Sequence, residues 1–277
     1  MRRRAFIAML AGAAAAWPLA ARAQQADRMR RIGVLTVVDR SDPEAKTWVT
    51  ALEQRLHQLG WEQGRNVRID YRWAGGDEQR LATYAAELVA AAPDVLFSAG
   101  TPSLTALSGQ TRSLPIVFVQ VPDPVKLGFA ASLARPGGNI TGFTTYEYSM
   151  GGKWVELLKD TAPRTIRLAV IVDPANPSHP QYVQELEASA ASLNMPVTIA
   201  SLRGAADIEA ALDEFARQPD GALVVLPSAA AILHRDLIIS LAARYHLPAV
   251  YPYRFFATGG GLMSYGIDLV DTYRRAA

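Results

Sequence analysis

Beyond residue 30 the chain alternates between two hydrophobic rhythms. Short β-branched or aliphatic runs at residues 32–38, 94–98, 116–121, 140–144, 168–172, 197–200, 222–226, 249–251 and 262–265 predict strands. Between them, apolar residues recur at helical spacing. In 44–59 the repeat is Ala45, Trp48, Val49, Leu52, Leu56 and Leu59, and Gly60 follows as a stop signal. The same periodicity predicts helices over 78–91, 102–109, 150–161, 178–193, 205–217, 229–245 and 268–277, with a helical patch around 127–133. Residues 67–73 differ. Val67, Ile69, Tyr71 and Trp73 alternate with Arg68, Asp70 and Arg72, which predicts an edge strand with one wet face. Strand–helix alternation implies parallel sheets covered by helices on both faces. Two successive runs, joined near residues 144–148, predict two similar α/β lobes. The last helix sets Leu269, Val270, Tyr273 and Ala276 on one face, and the chain stops after it without a Gly, Pro or polar cap, as a fragment or a ragged end would.

Charge and composition change this picture mainly at the N-terminus. Four of the 28 Lys and Arg lie in residues 1–23, where there is no acid, so the remainder carries 24 against 26 acidic residues. No basic face remains to argue for nucleic acid. Arg2, Arg3 and Arg4 precede an apolar stretch, 5–21, and Ala21-Arg22-Ala23 fits a small-x-small cleavage site. These features predict a secretory signal peptide over 1–23, a mature chain starting at Gln24, and a periplasmic destination. Arg3-Arg4-Ala5-Phe6-Ile7 resembles a twin-arginine signal, and both that route and an arginine-rich Sec signal stay open. A membrane anchor would need about 20 strongly apolar residues, and this stretch is mostly alanine. The absence of cysteine excludes disulfides, thiolate catalysis and Cys-based zinc sites.

In open parallel sheets, ligands bind beyond the carboxyl ends of the strands. The residues that follow each predicted strand are therefore the candidates. Thr101-Pro102-Ser103 reads as a helix start, with Thr101 as N-cap, and the N–H groups of Ser103 and Leu104 together with two hydroxyls could hold a carboxylate. Ordinary capping explains the same residues. Asp123 could pair with a ligand amine or cap the next helix. Asp173-Pro174-Ala175-Asn176 and Pro227-Ser228 read as helix starts that would face the first lobe, which brings in Asp173, Asn176 and Ser228. Tyrosines can wall a pocket and hydrogen-bond at their tips. Tyr146 and Tyr148 lie at the lobe join and Tyr251, Tyr253 and Tyr265 near strand ends; Tyr146, Tyr251 and Tyr265 are taken as candidate walls, with core packing as the alternative. Catalytic patterns are poorly supported. His57, His179, His234 and His246 show no metal-ligand spacing. Neither a nucleophile elbow nor a glycine-rich phosphate loop occurs. The balance leans to binding, with no cofactor and no metal.

Several segments are distinctive as strings: R-R-I-G-V-L (30–35), L-G-W-E-Q-G-R-N-V-R-I-D-Y-R-W-A (59–74), S-A-G-T-P-S (98–103), D-P-V (123–125), S-L-A-R-P-G-G-N-I-T-G (132–142), D-P-A-N-P (173–177), Y-P-Y-R (251–254) and G-G-L-M-S-Y-G-I-D-L (260–269). Together they resemble the substrate-binding proteins of an ABC-transporter family often called the tryptophan/tyrosine type. The resemblance runs from about residue 30 to the end. It implies a type I periplasmic-binding-protein fold: two Rossmann-like parallel-sheet lobes, a hinge and a ligand in the cleft. Lobe I is then expected over 24–144 with 267–277, and lobe II over 145–266. It also implies an exported, monomeric solute-binding protein that captures a small molecule, such as an amino acid, and delivers it to an ABC permease in the inner membrane. A ligand-sensing domain for a membrane receptor and a periplasmic α/β enzyme are the alternatives. The chain departs from the family pattern in two places. Phe255 stands where the family has Glu after Y-P-[FY]-R. The family also continues for some tens of residues, a tail that would finish the last helix and supply a third crossing, so the C-terminal part is read as truncated.

Overall fold

The structure, a computed structural model, describes residues 28–277. The expected signal peptide, 1–23, and the expected cleavage before Gln24 lie outside the described residues. Among the described residues no helix is long and apolar enough to cross a membrane.

Two sheets of five parallel strands form the frame. In the first, β1 (Arg30–Thr36) pairs with β2 (Val67–Trp73) on one side and β3 (Val95–Ala99) on the other; β4 (Ile116–Val121) and β5 (Ile140–Thr144) follow. In the second, the order is β10 (Met263–Ser264), β9 (Ala249–Tyr251), β8 (Gly221–Val225), β6 (Arg167–Val172) and β7 (Val197–Ser201). The continuous aliphatic runs become central strands, with β8 buried at every residue. The alternating run becomes edge strand β2, where Val67 and Ile69 are buried and Arg68 is exposed.

Helices follow the predicted periodicity, and aspartates cap the first two. Asp42 accepts the N–H groups of Glu44 and Ala45 to open α1 (Pro43–Gln58), and Asp77 does the same for α2 (Glu78–Ala90). Next come α3 (Thr101–Gln110), α4 (Met150–Thr161), α5 (His179–Ser192) and α6 (Ala205–Ala216). The predicted helix over 229–245 is two helices, α7 (Ala229–Leu233) and α8 (Arg235–Arg244), broken at His234, whose φ is −100° and ψ 19°. A short helix absent from the periodicity, α9 (Arg254–Thr258), follows β9. The patch at 127–133 is not helical. The Pro124 carbonyl accepts the N–H groups of Phe129 and Ala130, and Gly128 turns the chain at φ 77°. Leu127 and Phe129 pack against the core through this turn, while Leu133 is left 66% exposed, so the apolar residues are buried without a helical face.

The chain crosses between sheets after β5, and again after β10 into α10 (Leu269–Arg275). That last helix returns to the first lobe, where the Tyr273 ring lies 5.9 Å from Trp48 of α1 and 5.5 Å from Phe97 of β3. The two crossovers touch. The Tyr146 hydroxyl donates to the Pro252 carbonyl, and Trp154 Nε1 donates to the Tyr265 carbonyl at 2.9 Å. Tyr146 and Trp154 also meet edge to face, 5.8 Å apart. Gly266 completes this contact, since a Cβ there would overlap the Pro252 carbonyl and the Tyr146 hydroxyl. Replacing Gly266 with Ala is expected to cost about 1–3 kcal/mol, the usual range for overpacking. Urea unfolding of the two proteins measures it, and stability within 0.5 kcal/mol of the parent would show that the crossovers do not pack this tightly.

Candidate functional site

Every segment that lines the cleft between the lobes follows the carboxyl end of a strand or, for Gln120, lies in a strand's last residues. The first lobe supplies Val37 after β1, Gly100, Thr101 and Pro102 after β3, Gln120 in β4, and Glu78 and Leu81 of α2. The second supplies Asp173, Pro174, Ala175 and Asn176 after β6, Arg203 after β7, Pro227 and Ser228 after β8, and Tyr253 after β9. The cavity between them holds about 500 Å³, within the range of small-molecule sites.

On the first lobe, α3 begins one residue earlier than its sequence suggests. Gly100 is the N-cap, with φ 95°, and no side chain caps the helix. The residue must be glycine twice over: φ is in the left-handed region, and a Cβ would sit 3.1 and 3.2 Å from the Val37 methyls. Thr101 therefore lies inside the helix rather than capping it. The Leu104 N–H is used by the Gly100 carbonyl at 3.1 Å, and Pro102 has no N–H. The donors at this helix start are the N–H groups of Thr101 and Ser103, at the positive end of the dipole. Gln120 enters the cleft through an irregularity. The register of β4 against β5 shifts between Phe118 and Val121, and Gln120 takes φ 59°. A bulge of this kind re-aims a side chain, and a left-handed non-glycine residue costs on the order of 1–3 kcal/mol. The Tyr273 hydroxyl donates to Gln120 Oε1 at 3.3 Å, which ties α10 to the cleft.

On the second lobe, two loops are cross-linked by hydrogen bonds. Asp173 Oδ1 accepts the Ala175 N–H at 3.0 Å, and Asn176 Oδ1 accepts both the N–H and the hydroxyl of Ser178. Asn176 Nδ2 reaches the Pro227 carbonyl at 3.3 Å, and Ser228 Oγ caps α7 through the Ala231 N–H. Burial raises the Asp173 carboxyl above its ordinary value, against hydrogen bonds from the Ala175 N–H and Ser228; Glu78 across the cleft pushes it the same way as burial. Burial lowers the His179 imidazole to about 4.

At one end of the cleft the lobes are bridged directly. The free oxygen of the α1 capping residue Asp42 accepts from Arg235 at the start of α8, in a nearly buried ion pair. The Arg235 guanidinium lies 6.0 Å from the Phe255 ring, itself 6.1 Å from Trp48. Phe255 thus forms part of the lobe–lobe contact.

Of the sequence-based candidates, Thr101, Asp173, Asn176 and Ser228 line this cleft. The others lie outside its lining, each for a local reason. Ser103 is fully buried behind the helix start, its hydroxyl without a protein partner. Asp123 accepts the Lys126 N–H at 3.0 Å and closes its own turn. Tyr146 is held in the crossover, and Tyr251 stacks on Phe256 at 5.1 Å in the second lobe's interior. Tyr265 is 42% exposed at the second crossover. Sequence reasoning missed Glu78, Gln120 and Arg203, and preferred Tyr251 to Tyr253. The position of Arg203 just after β7 is a signal that could have found it. Nothing in the sequence announces the bulge at Gln120.

This fold agrees with what known proteins show. The family model described as ABC transporter substrate binding protein matches residues 31–277, and the chain belongs to that family. A Clostridioides difficile protein named tyrosine-binding protein is 26% identical over 244 residues, covering 87% of this chain and 68% of that protein. A conserved domain protein from Vibrio cholerae superposes with a TM-score of 0.82 at 26% identity, covering 90% of this chain and 82% of that one. An ABC domain from Streptococcus pneumonia, solved in complex with L-Trp, gives 0.80 at 24% identity and coverage of 89% and 81%. The architecture is that of the type I periplasmic binding proteins, whose members include sugar- and leucine-binding structures of lower identity.

His179 gives the stability a defined pH dependence. Its native value of about 4 lies below the unfolded value of 6.5. Between those values the unfolded chain binds a proton that the native protein does not, so stability falls as pH drops through this window. The full effect of the gap is about 3 kcal/mol. The raised Asp173 carboxyl acts in the opposite direction, so the comparison is made with His179→Gln. Urea midpoints at several pH values should show the parent losing about one proton's worth of slope more than the variant. Parallel curves would contradict a neutral, buried His179.

Proposed function

We propose that this chain is the exported capture component of an importer, closing its two lobes over a small zwitterion with an apolar or aromatic side chain. The observation that carries this reading is the composition of the cleft. A helix start with free donors at Thr101 faces a carboxylate at Asp173, and Tyr253, Leu81, Ile232 and several prolines supply apolar walls. A ligand carboxylate is suited to the first, an ammonium to the second, and a ring to the third. The names of the Clostridioides difficile and Streptococcus pneumonia proteins, which refer to tyrosine and L-Trp, favour an aromatic amino acid. Closure of the lobes is the working step. The protein performs no chemistry, acts as a monomer, and hands its ligand to a permease in the inner membrane. Residues 1–23 direct it to the periplasm, by the twin-arginine or the Sec route, and the mature chain starts at Gln24.

Calorimetry with L-tryptophan and L-tyrosine tests the reading. Binding of either should be weakened by Thr101→Val, which removes the hydroxyl beside the helix-start N–H donors and leaves those donors in place, by about 0.5–1.5 kcal/mol, the worth of one hydrogen bond. Asp173→Asn should cost more, because a charge-assisted bond is lost. If neither amino acid binds the parent, or both folded variants bind as the parent does, the zwitterion assignment is wrong. Mass measurement of protein released from the periplasm should give a chain beginning at Gln24; a retained Met1 would contradict export by cleavage.

A further inference from the structure

His179, the first residue of α5, is buried and is absent from the cleft lining, yet its ring lies between the two loops that form the second lobe's wall. Nδ1 accepts the Asp173 backbone N–H at 2.9 Å, and Nε2 lies 3.1 Å from the Pro227 carbonyl. A backbone N–H can only donate and a carbonyl can only accept. The ring must therefore be neutral, with Nδ1 bare and the hydrogen on Nε2. The other tautomer, or the imidazolium, would set N–H against N–H at Asp173. Asp173 and Asn176 ride on the loop after β6, and Ser228 rides on the loop after β8. One imidazole spans the two.

We propose that His179 is a positioning residue. Its two hydrogen bonds fix the spacing between Asp173 and Ser228, and so the shape of the wall that a ligand meets. The inference rests on the cleft being the ligand site, as proposed above. An imidazole that served only to fill volume could be replaced by a ring of the same size at little cost to the wall. A positioning imidazole could not, because Phe leaves the Asp173 N–H without its acceptor and the Pro227 carbonyl without one of its donors. Asn176 Nδ2 still reaches that carbonyl at 3.3 Å, so the loop after β8 should be loosened and not released.

Three variants of the mature chain separate the two bonds. His179→Phe removes both. His179→Asn keeps an acceptor where Nδ1 stood, and His179→Gln keeps a donor where Nε2 stood. In the ligand-free, nitrogen-15-labelled parent, the ring should show the bare-Nδ1, protonated-Nε2 pattern. In His179→Phe the Asp173 amide should exchange about tenfold faster, and the Asn176 and Ser228 amides should shift. His179→Asn should restore protection at Asp173 alone, and His179→Gln should restore the Ser228 position alone. With L-tryptophan as the probe, His179→Phe should raise Kd about tenfold at a temperature where every variant is folded, and each single-bond variant should raise it less. Ligand-free amides unchanged in His179→Phe would overturn the proposal, as would displaced amides with the parent's Kd. If His179→Phe does not fold, the opposite patterns of the Asn and Gln variants decide, and identical patterns overturn it. If the parent does not bind L-tryptophan, the amino-acid reading fails separately, and the ligand-free amides still decide for or against the positioning role.

Discussion

The cleft exists because two parallel sheets are held with the carboxyl ends of their strands facing each other, and two short crossovers do the holding. A parallel strand delivers its next loop at its carboxyl edge every time, so each lobe presents a row of loops and helix starts to its partner. What the fold then has to fix is the relation between the lobes. Tyr146, Trp154 and Gly266 pack the two crossovers together beside the second lobe, through one contact to the Pro252 carbonyl and one to the Tyr265 carbonyl, and Tyr273 of α10 anchors the second crossover on the first lobe. Pro252 follows β9 and Tyr265 follows β10, so the ends of the second sheet's last two strands are held by the segment that began the second lobe.

A second, weaker tie lies at the far side of the cleft, where Asp42 meets Arg235. Asp42 has a double duty. One oxygen caps α1, and the other accepts from the guanidinium of the opposite lobe. A pair of this kind is costly to break on one side only, because a nearly buried charge is left unpaired. The Trp48–Phe255 contact beside it is apolar. In this chain the lobe contact at that point depends on apolar packing beneath an arginine.

Much of this was legible in the residues. The aliphatic runs marked the central strands, and the alternation at 67–73 marked the sheet edge, because burial on two faces and on one face leave different periods. The second lobe's contribution to the cleft lining was also readable: Asp173, Asn176 and Ser228 are turn and cap residues placed directly after strands. The first lobe was harder. Gly100, not Thr101, caps α3, because a positive φ and the neighbouring Val37 methyls select glycine where the composition favours Thr. Gln120 was hidden, since a bulge depends on the register between two strands and not on either strand alone. The tyrosines divided by tertiary context: Pro252 interrupts the strand between Tyr251 and Tyr253, and only the second reaches the cavity. The break at His234 left no Gly or Pro to read.

The most direct measurement is a crystal structure of residues 24–277 grown with L-tryptophan. The ligand should lie in the cleft, its carboxylate toward the Thr101 N–H and its ammonium toward Asp173, with Asp42 and Arg235 still paired across the lobes. Ligand density elsewhere, such as in the groove between α1 and β2, or an ordered ligand touching only one lobe, would contradict capture between the two sheets.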